Sequence, residues 1–315
     1  MVNLKNFDLN LLKTLDALLE EKNVTHAGQR LFITQQAASG ALQRLREHFE
    51  DQLLTQVGRR LELTPLAVSL IHPVREALLA AKTALDTRPS FDAGTAKRNC
   101  RIAISDYGLI VLLPRFLRRL SAEAPGIRCT VEPLSHQSFS RLEMGDLDFC
   151  VVTDELRIWG THQPSQSIRS KPMFEDDFVC VVDPRAVDVS QGLPLSTYQQ
   201  LRHNSVAFGD GVKTLVEEAW VASKIDINVA VTAFSFSSLL FMLPGTPMIA
   251  TAQRRLATIL APRLGLVVLE SPLELPRLRE VLMWHPRSEA DPAHIYFRHT
   301  MDAAVADLYT TAAPA

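Results

Sequence analysis

The sequence of 315 residues lacks the motifs and segments that mark many enzymes, secreted proteins and membrane proteins. It contains no GxSxG, HExxH or P-loop motif, which are local signatures of α/β hydrolases, zinc peptidases and nucleotide hydrolases. No uncharged apolar run approaches the roughly 18 residues of a membrane span, and the opening segment MVNLKNFDLN lacks the apolar core of a signal peptide. We therefore expect a cytoplasmic protein that is not an enzyme and has no membrane partner.

Cysteine is also scarce. The four cysteines are widely spaced and form no CxxC pair: Cys100, Cys129, Cys150 and Cys180. Three of them lie in apolar, strand-like runs, which indicates reduced core thiols rather than disulfides or metal ligands. His285 and His294 have no histidine or cysteine partner at metal-ligand spacing. We expect these histidines to have packing or capping roles, and we expect no metal and no cofactor.

A marked excess of one charge is absent, because the formal net charge is −2. Any surface that binds nucleic acid must therefore be local. One helical stretch meets that condition. In FITQQAASGALQRLREHF, at 32–49, no acidic residue occurs before Glu47, and the first half is small and rich in amides.

Three short helices are predicted around this stretch. Leucines at helical spacing define the first helix in LNLLKTLDALLEEKN, Thr25 can cap a second helix, and Thr34 can cap the third. The third helix has a stripe of apolar residues that we expect to be buried: Ala38, Leu42, Leu45 and Phe49. This arrangement is typical of a helix-turn-helix whose third helix reads DNA.

The opposite face of the third helix has the side chains that base recognition requires. A helix that enters a major groove about 12 Å wide needs short leading side chains. Glutamine can bind adenine, arginine can bind guanine, and serine or threonine can bind bases or phosphates. A carboxylate on this face would repel phosphates. A solvated surface helix is the alternative interpretation.

The segment after the third helix favours DNA binding. Two short extended runs surround Val57–Arg60, which predicts a hairpin with arginines at its tip. Such a wing can reach phosphates or the minor groove. The candidate DNA-contacting residues are therefore Thr25, Thr34, Gln35, Gln36, Ser39, Arg44, Arg46, Arg59 and Arg60.

A long amphipathic helix is predicted from Thr64 to about Asp86, with Pro65 at its first turn and a bend at Pro73. The candidates for its apolar stripe are Leu70, Val74, Leu78, Leu79 and Leu85. The helix has no obvious core of its own to cover. We therefore expect it to pair with the same helix of a second subunit.

The order of these features resembles the LysR-type transcriptional regulators. The residues that match the family pattern are Thr34, Gln35, Ala37, Ser39, Arg59, Leu63 and Thr64. Gln36 replaces the usual proline, Gln56 replaces an arginine of the wing, and Ala67 replaces a glycine. The resemblance implies homodimers that pair into tetramers, double-stranded DNA with a dyad-symmetric promoter site as a partner, and RNA polymerase as a further candidate partner.

Strands and helices alternate from residue 99 onward, which predicts a mainly parallel α/β sheet. The resemblance implies two α/β subdomains joined by two crossovers, as in a periplasmic binding protein. GDLDFCVV resembles the motif that leads to a crossover near Thr153, and MIATAQRRLA resembles the return crossover near Thr251. The predicted domains are a winged helix-turn-helix at 1–64, a linker helix for dimerisation and a hinge at 65–98, and an effector-binding domain at 99–315, with subdomain I at about 99–153 and 252–315 and subdomain II at about 154–251.

Effector contacts are expected at the ends of strands and the starts of helices. This rule selects residues after the first two strands and near the crossovers, and the resemblance adds two positions where aromatic-acid sensors often carry histidine, here Asp176 and Val212. The candidates are Ser105, Tyr107, Ser135, Thr153, Asp176, Phe208, Val212 and Thr251. Any one of them can instead be a loop residue or a helix cap. A carboxylate at Asp176 would disfavour an anionic ligand.

The C-terminal stretch WHPRSEADPAHIYFRHTM is similar to the signature of the branch that holds nodulation activators and aromatic-compound sensors. The leading hypothesis is a sequence-specific DNA-binding regulator controlled by a small effector, aromatic or phenolic. A thiol-based redox regulator on the same scaffold is an alternative, because Cys100 and Cys129 each follow or precede an arginine. An α/β enzyme is a further alternative.

Overall fold

The computed structural model describes residues 7–57, 60–86, 91–135, 137–155, 164–165, 167–207 and 213–310, with the backbone alone at 82–83 and 85–86. The chain forms two compact units, 1–87 and 88–315, and each is considered by itself. Among the described helices, none combines the length and the apolar character that crossing a bilayer requires.

The N-terminal unit is a winged helix-turn-helix, as predicted. Its elements in chain order are α1 (Asn10–Glu21), α2 (Val24–Arg30), α3 (Gln35–Phe49), β1 (Leu54–Val57), β2 (Arg60–Leu63) and α4 (Pro65–Asp86). The two strands pair antiparallel, with Leu54 opposite Leu63 and Val57 opposite Arg60. A side chain at Gly28 would place its Cβ 3.2 Å from the carbonyl oxygen of Ile33, so glycine permits the tight approach between α2 and α3.

Helix α4 differs from its prediction because it packs on its own domain. Ala67 and Val74 are buried in the core of the N-terminal unit, and Leu70 and Leu78 pack against that core. Arg75 adds an ion pair with Asp16 of α1 at 3.4 Å. The expectation that the leucine stripe has no partner in its own domain is therefore wrong, and the side chain of Leu85 lies outside the described residues. An exposed stripe of small residues lies along the same helix, at Ala77, Ala80, Ala81 and Ala84.

Two five-stranded sheets form the C-terminal unit. The first sheet has the order β4-β3-β5-β12-β6. Its strands are β3 (Asn99–Ile104), β4 (Arg128–Pro133), β5 (Phe149–Thr153), β6 (Arg169–Asp176) and β12 (Leu278–Trp284). Strands β3, β4 and β5 are parallel, whereas β12 runs antiparallel to its neighbours. We call this sheet the first lobe, together with α5 (Asp106–Val111), α6 (Leu113–Glu123), α7 (Ser138–Met144) and α12 (Pro292–Thr310).

The second sheet has the order β11-β7-β10-β8-β9. Its strands are β7 (Phe178–Val182), β8 (Arg202–Val206), β9 (Val229–Ala233), β10 (Met248–Gln253) and β11 (Val267–Glu270). We call it the second lobe, together with α8 (Leu195–Gln200), α9 (Leu215–Ala222), α10 (Phe236–Phe241) and α11 (Arg254–Leu264). The apolar runs FVCVV and MIATA form its buried centre, because β7 and β10 lie next to each other.

The crossovers between the lobes lie elsewhere than predicted. After β5 the chain returns to the first sheet as β6, in which Asp176 pairs with Leu278, and it enters the second sheet only at Phe178. Strand β10 belongs to the second sheet, so the chain returns to the first lobe between Glu270 and Leu278. The predicted subdomain boundaries at 153/154 and 251/252 are therefore displaced. Strand β6 was missed because its first four residues are exposed and show no apolar alternation.

Candidate functional site

The first candidate site is the exposed face at the start of α3. Thr34 caps the helix, and its Oγ1 accepts a hydrogen bond of 3.2 Å from the backbone N–H of Ala37. Gln35, Gln36 and Ser39 are exposed, and the first turn contains no acidic residue. Amide and hydroxyl groups therefore stand beside the free N–H groups of a helix start, where the helix dipole favours negative charge. This face can contact phosphates and base edges.

An exposed aromatic residue lies in the turn that precedes this face. Phe32 is 97% exposed and has a φ of 56°, in the left-handed region that non-glycine residues rarely adopt. The following N–H, of Ile33, donates to the carbonyl of Gly28 at 3.0 Å and closes the turn between α2 and α3. Sequence reasoning did not identify Phe32 as a surface residue, because phenylalanine is usually buried.

The basic residues of this unit have different roles. Arg44 is exposed and lies 3.8 Å from a carboxylate oxygen of Asp8, and Arg60 is exposed on β2 of the wing. The guanidinium of Arg46 instead donates to the backbone carbonyls of Gln52 and Leu54, at 2.9 and 3.0 Å. Arg46 thus anchors the first strand of the wing to α3.

The second candidate site is a cleft between the two lobes of the C-terminal unit. Side chains from β5, β8, β10 and β12, and from the residue that follows β3, line it, and they include Ser105, Thr153, Asn204, Thr251, Gln253 and Glu280. Leu134, Phe178, Trp220 and Phe236 supply apolar and aromatic walls. The free volume is only about 60 Å³, which is enough for a few water molecules. A larger ligand must therefore displace side chains or separate the lobes.

Three buried oxygen atoms in this cleft have no hydrogen-bond partner within the described part of the chain: Oδ1 of Asn204, Oε1 of Gln253 and Oε2 of Glu280. The exposure of these residues is 2%, 1% and 5%, respectively. Burial raises the pKa of Glu280 to about 8, and repulsion from Asp154 and Asp176 contributes to the increase. A buried polar atom without a partner costs about 1–3 kcal/mol, so the cleft has unused hydrogen-bonding capacity.

A network of hydrogen bonds joins the lobes next to the cleft. The hydroxyl of Tyr107, on α5, donates to Oδ2 of Asp176 at 2.8 Å, and the N–H of Arg255, on α11, donates to the same oxygen at 3.0 Å. Desolvation raises the pKa of both Asp176 and Tyr107. A second link runs from α5 to α10, where Asp106 accepts from the backbone N–H of Phe236 at 3.0 Å. We call the contacts of Tyr107, Asp176 and Arg255 the hinge bracket.

Family models match both units. Residues 9–67 match a bacterial regulatory helix-turn-helix protein of the lysR family, and residues 93–305 match the LysR substrate binding domain. The chain belongs to the LysR family. It is therefore a transcriptional regulator and not an enzyme.

The sequences of named relatives align with nearly the whole of this chain. Nodulation protein D 1 of Rhizobium tropici is 35% identical over 295 residues, which cover 93% of this chain and 94% of that protein. Nodulation protein D of Bradyrhizobium sp. strain ANU 289 is 34% identical and covers 94% of this chain and 86% of that protein. The crystal structure of a probable transcriptional regulator from Pseudomonas aeruginosa has a TM-score of 0.64 and 28% identity, with 95% of this chain and 98% of that chain covered.

Three of the effector contacts predicted for this LysR-family chain lie together in the cleft: Ser105, Thr153 and Thr251. Ser105 also caps α5, because its Oγ accepts from the N–H of Gly108 at 3.2 Å. Thr251 lies 3.1 Å from the hydroxyl of Tyr198. Both residues therefore combine a structural contact with a position in the cleft.

Other predicted contacts of the LysR-family sensor lie elsewhere. Tyr107 and Asp176 belong to the hinge bracket, since the side chain of each is turned to the other rather than into the cleft. Ser135 is exposed and lies 3.4 Å from the hydroxyl of Ser138, whereas its neighbour Leu134 lines the cleft. The predictions at Phe208 and Val212 fall outside the described residues, as does Arg59 of the wing.

The cap of α2 differs from its prediction, and the predicted DNA contact Arg46 also has a structural role. Asn23, not Thr25, caps α2, and its Oδ1 accepts from the N–H of Thr25 at 2.9 Å. Thr25 lies inside the helix and is half-buried. Arg46, predicted to contact DNA, has two of its donors engaged by the wing backbone.

Sequence reasoning missed the three acceptors of the cleft, although one of them had a visible signal. Glu280 is the acid that begins the otherwise apolar run EVLMW. The pairing of β12 with β6 shifts register between Glu280 and Val281, and such a bulge re-aims side chains. Gln253, at the end of β10, and Asn204, in the middle of β8, had no comparable signal.

Proposed function

We propose that this LysR-family regulator binds a small, neutral effector with hydroxyl groups, such as a phenolic compound, in the cleft between the lobes. The observation that carries this proposal is the set of unpaired oxygens of Asn204, Gln253 and Glu280. A ligand that donates hydrogen bonds to them would supply partners that the described part of the protein does not. The effector would thereby stabilise one arrangement of the lobes relative to another.

The walls of the cleft support a ligand with an aromatic body. Phe178, Trp220 and Phe236 contribute aromatic surface, and aromatic rings pack well against one another. A carboxylate ligand would meet the amide oxygens of Asn204 and Gln253 and, once Glu280 is ionised, a second negative charge. The relatives are named nodulation protein D, and that name identifies no ligand.

A thermal denaturation screen tests the proposal. Simple phenols should raise the Tm of the protein in a concentration-dependent way, whereas the matched benzoates should not, because binding to the native state alone stabilises it. The same phenols should be tested against Gln253→Leu, which removes one acceptor. If benzoates stabilise the protein as well as phenols do, the assignment of ligand class is wrong.

For the DNA-binding unit, we propose that α3 reads bases of a dyad-symmetric promoter site from the major groove, as part of a homodimer that can pair into a tetramer. Gln35, Gln36 and Ser39 are exposed on α3, which supports base contacts. The exposed alanines of α4 would let two such helices approach closely. Replacing Ala80 by Glu should therefore yield monomers in sedimentation, whereas an unchanged mass would exclude this face. RNA polymerase is a further proposed partner, and the cytoplasm is the proposed location.

A thiol switch is a second candidate function, supported by one pair of residues. Cys100 and Cys129 lie opposite each other on the neighbouring strands β3 and β4. A hydrogen bond with Cys100 lowers the pKa of the half-buried Cys129 thiol. Hydrogen peroxide could oxidise the two thiols to a disulfide with release of two water molecules. Peroxide that changes operator affinity in the native protein, but not in Cys129→Ser, would favour this function over a small effector.

A further inference from the structure

A groove larger than the cleft lies next to the hinge bracket. Its volume is about 860 Å³, within the range of small-molecule sites. The groove lies among β6, α6, α11 and the end of α12, and its apolar surface includes Met173, Ile259 and Leu308. Two basic side chains, Arg115 of α6 and Arg255 of α11, face this surface.

Neither of these guanidinium groups has an ion-pair partner within the described ranges. Arg115 donates to the carbonyl of Val111 at 2.7 Å, and Arg255 donates to the carbonyl of Leu308 at 3.1 Å. The Nε of each is buried and has no hydrogen-bond partner in the part of the chain that the structure describes. The guanidinium of Arg255 lies 4.9 Å from the centre of the Tyr309 ring. Each arginine therefore retains a donor that the protein does not use.

The two arginines also repel each other. Burial lowers the pKa of Arg115, and the positive charges of Arg118 and Arg255 lower it further, against the opposing effect of Asp307. The carboxylate of Asp307 is itself held by Arg119 at 2.9 Å. An anion placed between Arg115 and Arg255 would relieve this repulsion.

Most other charges of the groove are paired, and Glu280, which lines the groove as well as the cleft, has a pKa raised to about 8 and is uncharged at neutral pH. Arg277 lies 3.4 Å from Glu175, and Arg279 lies 3.8 Å from Asp154. Arg254 is paired with Glu270 at 2.7 Å. The carboxylate of Asp176 is occupied by the donors of the hinge bracket. The unused positive charge of the groove is therefore concentrated at Arg115 and Arg255.

We propose that this groove is a second ligand site, which binds a carboxylate with an apolar tail. The carboxylate would lie between the guanidinium groups of Arg115 and Arg255, which can each donate to it. The tail would pack against Met173, Ile259 and Leu308. This ligand class is the opposite of the one proposed for the cleft, where unpaired acceptors predominate. The inference does not depend on the proposed phenolic effector.

A ligand in the groove would also affect the contacts at the crossover between the lobes. Arg255 supplies the backbone N–H that donates to Asp176, and the neighbouring N–H of Arg254 donates to the carbonyl of Asp177 at 2.8 Å, at the crossover between the lobes. A ligand that holds the Arg255 side chain would stabilise the start of α11 in this position. The groove would thus favour the arrangement of lobes in which the hinge bracket is formed.

Isothermal titration calorimetry of the full-length protein with octanoate tests the proposal, with octan-1-ol as a neutral control of equal chain length. Octanoate should bind saturably and octan-1-ol should bind at least about tenfold more weakly, because it lacks the charge-assisted hydrogen bonds. Arg115→Met and Arg255→Met should each weaken octanoate binding by about tenfold or more. Arg263→Met is the matched control, since Arg263 is exposed on α11 and does not line the groove.

Several outcomes would overturn the site. These are no saturable heat with octanoate, equal affinity for octan-1-ol, or unchanged octanoate affinity in both methionine variants. Arg255→Lys, which keeps the charge, should retain more affinity than Arg255→Met, and this comparison guards against a loss of binding through misfolding. If phenols fail to bind while octanoate binds, the proposed cleft function fails and the groove stands.

Discussion

The face of α3 and the cleft of the sensor differ in how their polar groups are held before any ligand arrives. On α3, Gln35, Gln36 and Ser39 are exposed, so water satisfies them at no cost to stability. In the cleft, polar atoms of Gln253 and Glu280 are buried without partners among the described residues. The first surface is satisfied by water, whereas the described part of the protein supplies no donors to these atoms of the second.

This difference indicates where ligand binding can be coupled to conformational change. A surface that is already hydrated gains affinity contact by contact and has little reason to rearrange. A cleft between two lobes that contains unpaired buried acceptors can form new hydrogen bonds when a ligand supplies donors. The bound ligand then also stabilises one arrangement of the lobes. Substitutions in the cleft should therefore alter the stability of the C-terminal unit, and substitutions on α3 should alter DNA binding alone.

The largest effect is expected for the pH dependence of stability at Glu280. Its pKa is raised from 4.5 to about 8 in the folded state, so the native protein binds a proton that the unfolded chain releases. Stability should therefore fall as pH rises from about 5 to 8, by roughly 4 kcal/mol at most if this carboxyl acts alone. Urea denaturation between pH 5 and 8 measures the slope.

Glu280→Gln provides the control for that slope. Glutamine has similar size and cannot ionise, so the variant should lose most of the decrease in stability over this pH range. A wild-type slope that persists in Glu280→Gln would assign the titration to another group, for example Asp154 or Asp176. Added phenol should also flatten the wild-type curve if its hydroxyl donates to Glu280.

The second-largest effect on stability is expected for substitutions in the hinge bracket. Asp176→Ala should reduce the free energy of unfolding of the C-terminal unit by about 3 kcal/mol, because Tyr107 and the N–H of Arg255 lose a charged acceptor in a buried site. Asp176→Asn keeps an oxygen acceptor and should cost less. Since Asp176 lines the groove but not the cleft, neither variant should change which ligand class binds in the cleft. A switch toward carboxylated ligands in Asp176→Asn would restore the earlier expectation that Asp176 contacts the effector.

The hinge bracket also illustrates what the sequence could not predict. The Thr34 cap and the exposed amides of α3 follow from local spacing, because a helix of 3.6 residues per turn determines which neighbours share a face. Asp176 meets Tyr107 only because β6 returns to the first sheet, across 69 positions of sequence. That return depends on pairing with β12, which arrives more than a hundred residues later. A strand with four exposed residues at one edge of a sheet has no periodic signal to reveal it.

The predicted binding residues also divide into those that local sequence determines and those that it does not. Ser105 and Thr153 were predicted from the general rule that ligands lie at strand ends, and both line the cleft. The rule also selected Tyr107, two positions after Ser105, because it cannot tell which side chain of a turn faces the ligand. The spacing of leucines indicated the apolar stripe of α4 but not its packing partner. An apolar stripe can pack equally well on α1 or on the same helix of a second subunit.

A smaller effect, about 1–3 kcal/mol, is expected for DNA binding by α3. Gln35→Ala should weaken binding to the operator and relax the choice of sequence, because the amide can make a bidentate contact to adenine. Arg60→Ala, on the wing, should weaken binding to all sequences to a similar extent and flatten its dependence on salt. Gel shifts with operator and random DNA at several salt concentrations separate the two. Gln35→Ala with undiminished discrimination would show that α3 lies differently in the groove. Arg59→Ala is expected to behave like Arg60→Ala.

The smallest effect is expected at Ser105, where a cap and a cleft contact coincide. Ser105→Ala should cost about 1 kcal/mol of stability through the lost cap of α5 and should weaken binding of a phenolic effector by about fivefold to tenfold through a lost hydrogen bond. Ser235→Ala is the matched control, because Ser235 caps α10 with its Oγ 3.3 Å from the N–H of Ser238 and does not line the cleft. Calorimetry of phenol binding, beside operator gel shifts without effector, measures both consequences. Equal losses of phenol affinity in the two variants would show that helix capping, and not contact with the effector, is the role of Ser105. An unaltered gel shift in both is expected, because neither residue belongs to the DNA-binding unit.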